Sequence, residues 1–113
     1  MNRDSYEVHI TNQAAEHLKN IVSYISQTLL EPELAQRWAM QLRAQIEKLC
    51  YMPARYPLAD EQPWHLKSVR KMVFRNFLIY YVIDEWEKQV AVIAILYGRR
   101  DQLPALLHLP LGD

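Results

Sequence analysis

Glycine and cysteine are scarce in this sequence. With 2 glycines in 113 residues, the chain has no glycine-rich loop of the kind that cradles phosphates. Its single cysteine, Cys50, excludes an intramolecular disulfide framework and fits a reducing compartment. No apolar run approaches the ~20 residues that cross a membrane, and the opening residues carry acids where a signal peptide would be apolar. We therefore expect a cytoplasmic protein that does not bind a membrane.

Metal-ligand spacing is also missing. The histidines do not recur at the intervals that zinc sites use, and Cys50 has no neighbouring thiol. We therefore expect no metal ion and no cofactor. The histidines concerned are His9, His17, His65 and His108.

Acidic residues are absent from one stretch of the chain. Lys/Arg and Asp/Glu number 13 each, so the net charge of zero does not indicate a general nucleic-acid binder. Between residues 62 and 83, however, no acid occurs. The sequence thus predicts a local basic patch, formed by Lys67, Arg70, Lys71 and Arg75.

Three apolar runs at residues 69–74, 77–83 and 90–97 predict consecutive antiparallel strands. The break at Arg75-Asn76 fits a tight turn, because Asn tolerates the left-handed conformation. The last two runs are apolar on both alternating faces, so we expect central strands with Ile79 and Ile93 buried.

The first half of the chain predicts one strand and two helices. Residues 6–10 alternate as a half-buried edge strand does. A first helix, capped by Thr11 or Asn12, is expected to end near residue 29 or 30. A second begins at Pro32 and reaches residue 49, so the two pack as a hairpin. Prolines predict an irregular connection over residues 52–64.

These elements predict an α+β fold of order β-α-α-β-β-β, with the helical hairpin on a small, mainly antiparallel sheet. We expect one domain over residues 1–113, with a loose tail from about residue 108. The helices can cover only one face of the sheet. The other face is then left to the C-terminal turn, a second copy of the chain or a partner, and an exposed apolar face usually binds something.

The segments RK at 70–71, NFLIYY at 76–81, VAVI at 90–93 and YGRRD at 97–101 together resemble the RelE/ParE superfamily of type II toxins. The resemblance runs from about residue 6 to about residue 107. It implies a growth-arresting toxin that a cognate antitoxin neutralises. Two mechanisms occur in the superfamily: ribosome-dependent mRNA cleavage without a metal, and binding of DNA gyrase without chemistry. A non-toxic binding module on the same fold is a third reading.

By motif position, the resemblance implies that Lys71 and Arg100 hold and stabilise a scissile phosphate in the cleaving members. Tyr97 is a third catalytic candidate, since a phenol among arginines can transfer a proton or stack on a base. Arg70, Arg75 and Arg99 are candidates for binding the target or a phosphate. The alternative for all six residues is a solvated or packing role at strand ends.

Two departures favour the gyrase-binding mechanism over cleavage. Many cleaving relatives carry Arg where this chain has Leu78, which cannot bind phosphate. They also place a Tyr or His near the C-terminus, where only His108 is available here.

Of the three tryptophans, Trp38 fits the core stripe of the second helix, whereas Trp64 and Trp86 fall in connections where they could contact a partner.

Overall fold

Two α-helices and four strands make up the part of the chain that the structure, a computed structural model, describes: residues 5–60, 62 and 64–98. The predicted order β-α-α-β-β-β and the α+β class are confirmed. The predicted tail from about residue 108 lies outside the described residues. The elements are β1 (Glu7–Ile10), α1 (Asn12–Ser23), α2 (Pro32–Glu47), β2 (Arg70–Phe74), β3 (Phe77–Asp84) and β4 (Gln89–Tyr97).

Helix α1 begins where Thr11 caps it, because the Thr11 Oγ1 accepts a hydrogen bond from the Ala14 N–H at 3.2 Å. The helix continues as a π-helical segment, Tyr24–Thr28, and the chain then reverses at Leu30 with φ 59°. A non-glycine residue is sterically strained in this left-handed region, whereas glycine is not. The chain has only 2 glycines, and neither is at this position. The helix therefore ends as predicted, but without a glycine cap.

Helix α2 begins with Pro32 at its first turn, where a missing N–H costs nothing. Its buried stripe contains Ala35, Trp38, Leu42 and Ile46, as the spacing predicts. Leu34, in the first turn of the helix, is exposed although its apolar side chain also fits the helical spacing of this stripe. None of the described helices is both long and apolar enough to cross a membrane.

The sheet has the order β1-β4-β3-β2. Strand β1 lies parallel to β4 at one edge, because the helical hairpin carries the chain across the sheet before the strands begin. The β2–β3 and β3–β4 pairs are antiparallel. Strands β3 and β4 are thus central, as their apolar runs predict.

A β-bulge interrupts the β3–β4 pairing. Tyr80 pairs with Ala94 and Tyr81 with Val92, so Ile93 is an extra residue on β4. Ile79 is fully buried, as expected, but Ile93 is only partly buried. The expectation of a buried Ile93 is therefore wrong, because the bulge removes this residue from the regular alternation.

Beyond the bulge, β4 has lost its neighbour β1, whose last link is the bond from the Thr11 N–H to the Val92 carbonyl at 3.0 Å. The Ile95 N–H instead donates to His17 Nδ1 on α1 at 3.1 Å. Burial lowers the pKa of His17, which keeps the imidazole neutral and able to accept. A helix side chain thus takes the place of a strand along this edge.

The main core lies between the helical hairpin and one face of the sheet, hereafter the helix face. It joins buried side chains of α1 and α2 to those of β2, β3 and β4. The helix-face residues of the sheet are Met72, Ile79, Tyr81, Val90, Val92 and Ile95.

The opposite face of the sheet is partly covered by the connection between α2 and β2. Ala59, Val69, Tyr80 and Ala94 are buried there, and Trp64 stands edge-on to the Tyr80 ring with centroids 4.0 Å apart. The expectation that this face awaits the C-terminal turn, a second copy or a partner is therefore wrong for its Tyr80 region. Prolines stop this segment from forming a helix, yet they leave it free to fold back over the sheet.

The β2–β3 turn differs in one detail from its prediction. Arg75 has φ 56°, whereas Asn76 is not among the residues with positive φ. The Asn76 carbonyl instead accepts the Gly98 N–H at 2.7 Å and ties the turn to the end of β4. The left-handed conformation is thus adopted by Arg75 and not by Asn76, the residue that would tolerate it better.

Candidate functional site

Arg70 and Lys71 are neighbours on β2 and therefore lie on opposite faces of the sheet. Arg70 pairs with Tyr81, whose side chain belongs to the helix-face core. Lys71 pairs with Tyr80, which is buried against Trp64 on the opposite face. The two basic residues that the sequence placed together are thus separated by the sheet itself.

Arg70 holds the connection between α2 and β2 against the sheet. Its Nη1 donates to the Tyr56 carbonyl at 2.6 Å and the Ala54 carbonyl at 3.3 Å. Beside it, the Tyr81 hydroxyl donates to the Pro53 carbonyl, and burial raises the pKa of Tyr81 to about 12. These bonds commit Arg70 donors to backbone acceptors, which indicates a structural role.

Arg75 joins the β2–β3 turn to helix α2. Its Nη2 donates to Gln41 Oε1 at 2.5 Å, and its guanidinium carbon lies 5.2 Å from the Phe74 ring centroid. The side chain stays exposed. Arg75 can therefore present positive charge at this end of the sheet while it braces the turn.

Tyr97 belongs to an aromatic cluster on the helix face. Its ring meets Phe77 edge-on at 5.4 Å, and Phe77 packs against Trp38 with centroids 4.9 Å apart. The Trp38 Nε1 is buried without a hydrogen-bond partner among the described residues. Tyr97 thus lies on the helix face, and the strand register places Lys71 on the opposite face.

Leu78 fills the space beside Gly98. A Cβ atom on Gly98 would lie 2.9 Å from Leu78 Cγ and 3.2 Å from the Asn76 carbonyl oxygen. The position that would carry a phosphate-binding Arg in the cleaving relatives is thus an apolar packing residue here. Arg99 and Arg100, the next residues in the sequence, and His108 lie outside the described residues.

Sequence reasoning missed three features: the acceptor role of His17, the Gln41 partner of Arg75, and the hydrogen bond from the Tyr6 hydroxyl to Glu85 in the β3–β4 turn. His17 is next to Leu18, which belongs to the buried apolar stripe of α1, and this position indicated that the imidazole could lie close to the core. The other two features depend on contacts between residues far apart in the chain, so no local sequence signal could have indicated them. Within residues 5–60, 62 and 64–98, no group of three or more His, Cys, Asp or Glu side chains could hold a metal ion.

Comparison with known proteins supports the fold. A profile of the ParE toxin of the type II toxin–antitoxin system parDE matches residues 8–102. The chain is similar to a structure of the chromosomal ParDE system from P. aeruginosa, with a TM-score of 0.70 and 17% identity over 85% of this chain and 99% of that one.

A second similar structure is the toxin–antitoxin complex RelBE2 from Mycobacterium tuberculosis, with a TM-score of 0.59 and 15% identity over 87% of this chain and 98% of that one. No curated protein matches the sequence at a significant level. At these identities the structural likeness shows the fold alone.

The profile match carries the family assignment, because residues 8–102 span both helices and nearly all of the sheet. The resemblance to the RelE/ParE superfamily, read from the strand segments and YGRRD, is confirmed. The chain belongs to the ParE toxin family of type II toxin–antitoxin systems.

Proposed function

We propose that this protein arrests growth by binding DNA gyrase and performs no chemistry of its own. The observation that carries this proposal is the separation of Lys71 and Tyr97 by the sheet. RNA cleavage needs a proton-transfer group and a cation within hydrogen-bond reach of one phosphate. Leu78, packed beside Gly98, supports the same conclusion, since it offers no phosphate contact. A gyrase inhibitor acts in the cytoplasm, which agrees with the expectation from the sequence.

We further propose that a cognate antitoxin protein neutralises the toxin. Both similar structures are described as toxin–antitoxin systems or complexes, which supports a partner of that kind. The partner would suppress toxicity by competing for the target-binding surface or by masking it. Co-expression of a cognate antitoxin, sought in a short reading frame beside the toxin gene, is therefore expected to restore growth.

One observation favours mRNA cleavage as the second candidate. Lys71 shares a face with Tyr80 and Trp64, and aromatic rings beside a cation are what an RNA base and its phosphate require. The fold is also similar to that of the RelBE2 complex. A non-toxic binding module is the third candidate, and growth arrest on induction distinguishes it from both.

Two assays in parallel test the mechanism. Purified toxin is added to a gyrase supercoiling reaction and to a ribosome-bound mRNA cleavage reaction. We expect inhibited supercoiling and intact mRNA. Intact supercoiling together with codon-phased cuts would replace the proposal with the cleaving mechanism.

Arg100 provides the matched variants. Arg100→Lys keeps the charge but loses the bidentate guanidinium fork. If Arg100 grips a phosphate, Arg100→Lys and Arg100→Ala should both abolish mRNA cuts. For a gyrase binder, we expect no cleaved mRNA with any variant, and toxicity that follows affinity for gyrase.

A further inference from the structure

Trp86 is the most exposed large hydrophobic residue in the described part of the chain, with 92% of its surface open to solvent. Trp side chains are usually well buried, and an exposed one loses the hydrophobic stabilisation that its burial would contribute. Trp86 lies in the turn between β3 and β4, and neither core cluster includes it. The Trp86 indole therefore contributes nothing to the hydrophobic core of the fold.

The turn that carries Trp86 is held in place by contacts of its other residues, and Tyr6 contacts the turn both before and after Trp86. The Tyr6 hydroxyl donates to Glu85 Oε1 at 2.6 Å, and Lys88 Nζ lies 4.8 Å from the Tyr6 ring centroid. Asp84 Oδ1 accepts the Glu87 N–H at 3.0 Å. A large aromatic side chain held out from a braced turn loses little conformational entropy when a partner covers it.

Charge indicates the kind of partner. Residues 84–88 read DEWEK, three carboxylates against one ammonium, so the indole is flanked by net negative charge. Glu7, at the start of β1, adds a further carboxylate beside Gln89, whose Nε2 donates to it at 3.4 Å. The opposite end of the sheet carries Arg75. An acidic surface around an aromatic anchor complements a positively charged surface that has an apolar hollow.

We propose that the acidic turn 84–88 is the contact with the toxin's target, and that Trp86 inserts into a positively charged surface of that protein. This inference rests on the proposed function, under which the target is gyrase, an enzyme that must present positive charge to hold DNA. The antitoxin and a second copy of the chain are the other occupants, and the experiment below separates them from the target.

The test compares Trp86→Ala with Leu66→Ala, a matched variant in which another exposed apolar side chain is removed from a different turn. We expect Trp86→Ala to raise the concentration for half-maximal gyrase inhibition about tenfold or more, as loss of an aromatic anchor does. Trp86→Phe should recover most of the inhibition. Leu66→Ala should inhibit like the wild type, and thermal melting should be unchanged in all three variants.

Charge variants test the predicted surface of the partner. Glu87→Gln and then Glu87→Lys should weaken inhibition in that order. Added salt should weaken the wild type more than Glu87→Lys, because salt screens the attraction between opposite charges. A Glu87→Lys variant as potent as the wild type would overturn the positively charged partner.

Three further outcomes decide the inference. Trp86→Ala that inhibits like the wild type overturns it. Trp86→Ala that loses affinity for the antitoxin but still inhibits gyrase assigns the turn to the antitoxin, and Trp86→Ala that only changes the oligomeric state assigns it to a second copy.

Failure of the proposed function looks different, because the wild type itself would leave gyrase active. Growth arrest on induction then tests the turn without naming the target. Retained arrest in Trp86→Ala would overturn the inference, whereas lost arrest with normal melting would support the turn as the contact with another target.

Discussion

Leu78 and Gly98 show how two residues determine each other's identity. The Gly98 N–H reaches the Asn76 carbonyl at 2.7 Å, which brings the end of β4 against the side chain of Leu78. Since Gly98 does not have a positive φ, the glycine is needed for space and not for backbone freedom.

Gly98→Ala is therefore expected to destabilise the protein by about 1–3 kcal/mol, because the new methyl group would lie 2.9 Å from Leu78 Cγ. Denaturant unfolding measures this cost. In the double variant Leu78→Ala/Gly98→Ala the clash with Leu78 disappears and only the 3.2 Å approach to the Asn76 carbonyl oxygen remains. The double variant should therefore be more stable than the two single costs together predict. Additive costs would contradict the packing explanation.

His17 predicts a pH dependence of stability. Burial lowers the folded-state pKa of His17 below 6.5, the ordinary value, so the unfolded chain binds this proton more readily. The stabilising contribution is present above pH 6.5 and is lost as the pH falls toward and through the folded-state pKa. Protonation also removes the acceptor for the Ile95 N–H.

Thermal melting of the wild type and His17→Gln between pH 7.5 and pH 5 measures this effect. The wild type should lose more stability on acidification than His17→Gln, whose side chain cannot take up a proton in this range. His9→Gln is the control, since His9 is exposed on β1. Equal losses in wild type and His17→Gln would contradict the role of His17.

At the scale of the elements, the bulge in β4 divides two residues that the sequence presents as equals. Ile79 and Ile93 both lie in central apolar strands, yet Ile79 is fully buried on the helix face and Ile93 packs only partly on the other. A bulge adds one residue to one strand and leaves it out of register.

Ile79→Ala is accordingly expected to cost about 2–5 kcal/mol, the range for a buried isoleucine. Ile93→Ala should cost clearly less, because part of that side chain already contacts water. The difference in unfolding free energy between the two variants is the measurement. Equal costs would contradict the bulge at this position.

At the scale of the whole molecule, the sheet separates Lys71 and Tyr97, the two described candidates for catalysis. Lys71 faces the Trp64–Tyr80 pair, whereas Tyr97 faces the helices. The strand register thus places the two candidates on different faces of the sheet.

We accordingly expect Lys71→Met and Tyr97→Phe to arrest growth like the wild type, since a gyrase binder requires no joint chemistry from them. Growth after induction, at matched protein levels, is the measurement. Melting curves serve as the control for folding, because Tyr97→Phe keeps the ring that meets Phe77. Complete loss of toxicity in both variants, with normal melting, would favour the cleaving mechanism.

The order of elements could be predicted because local patterns encode it. The alternation of β1, the stripe of α2 and the doubly apolar runs of β3 and β4 each depend on neighbours within a few residues. The strand segments and YGRRD were likewise enough to recognise the superfamily, and the profile match confirms that recognition.

The arrangement of the candidate site was decided by tertiary contacts. Whether Arg70 is available depends on carbonyls at residues 54 and 56, and Trp64 is partly buried because its segment folds back over Tyr80. The side on which Lys71 faces follows from strand register, which the whole sheet sets. These contacts join residues that are far apart in the chain. Local sequence patterns therefore identified the candidate residues, but they could not predict which of these residues contact one another.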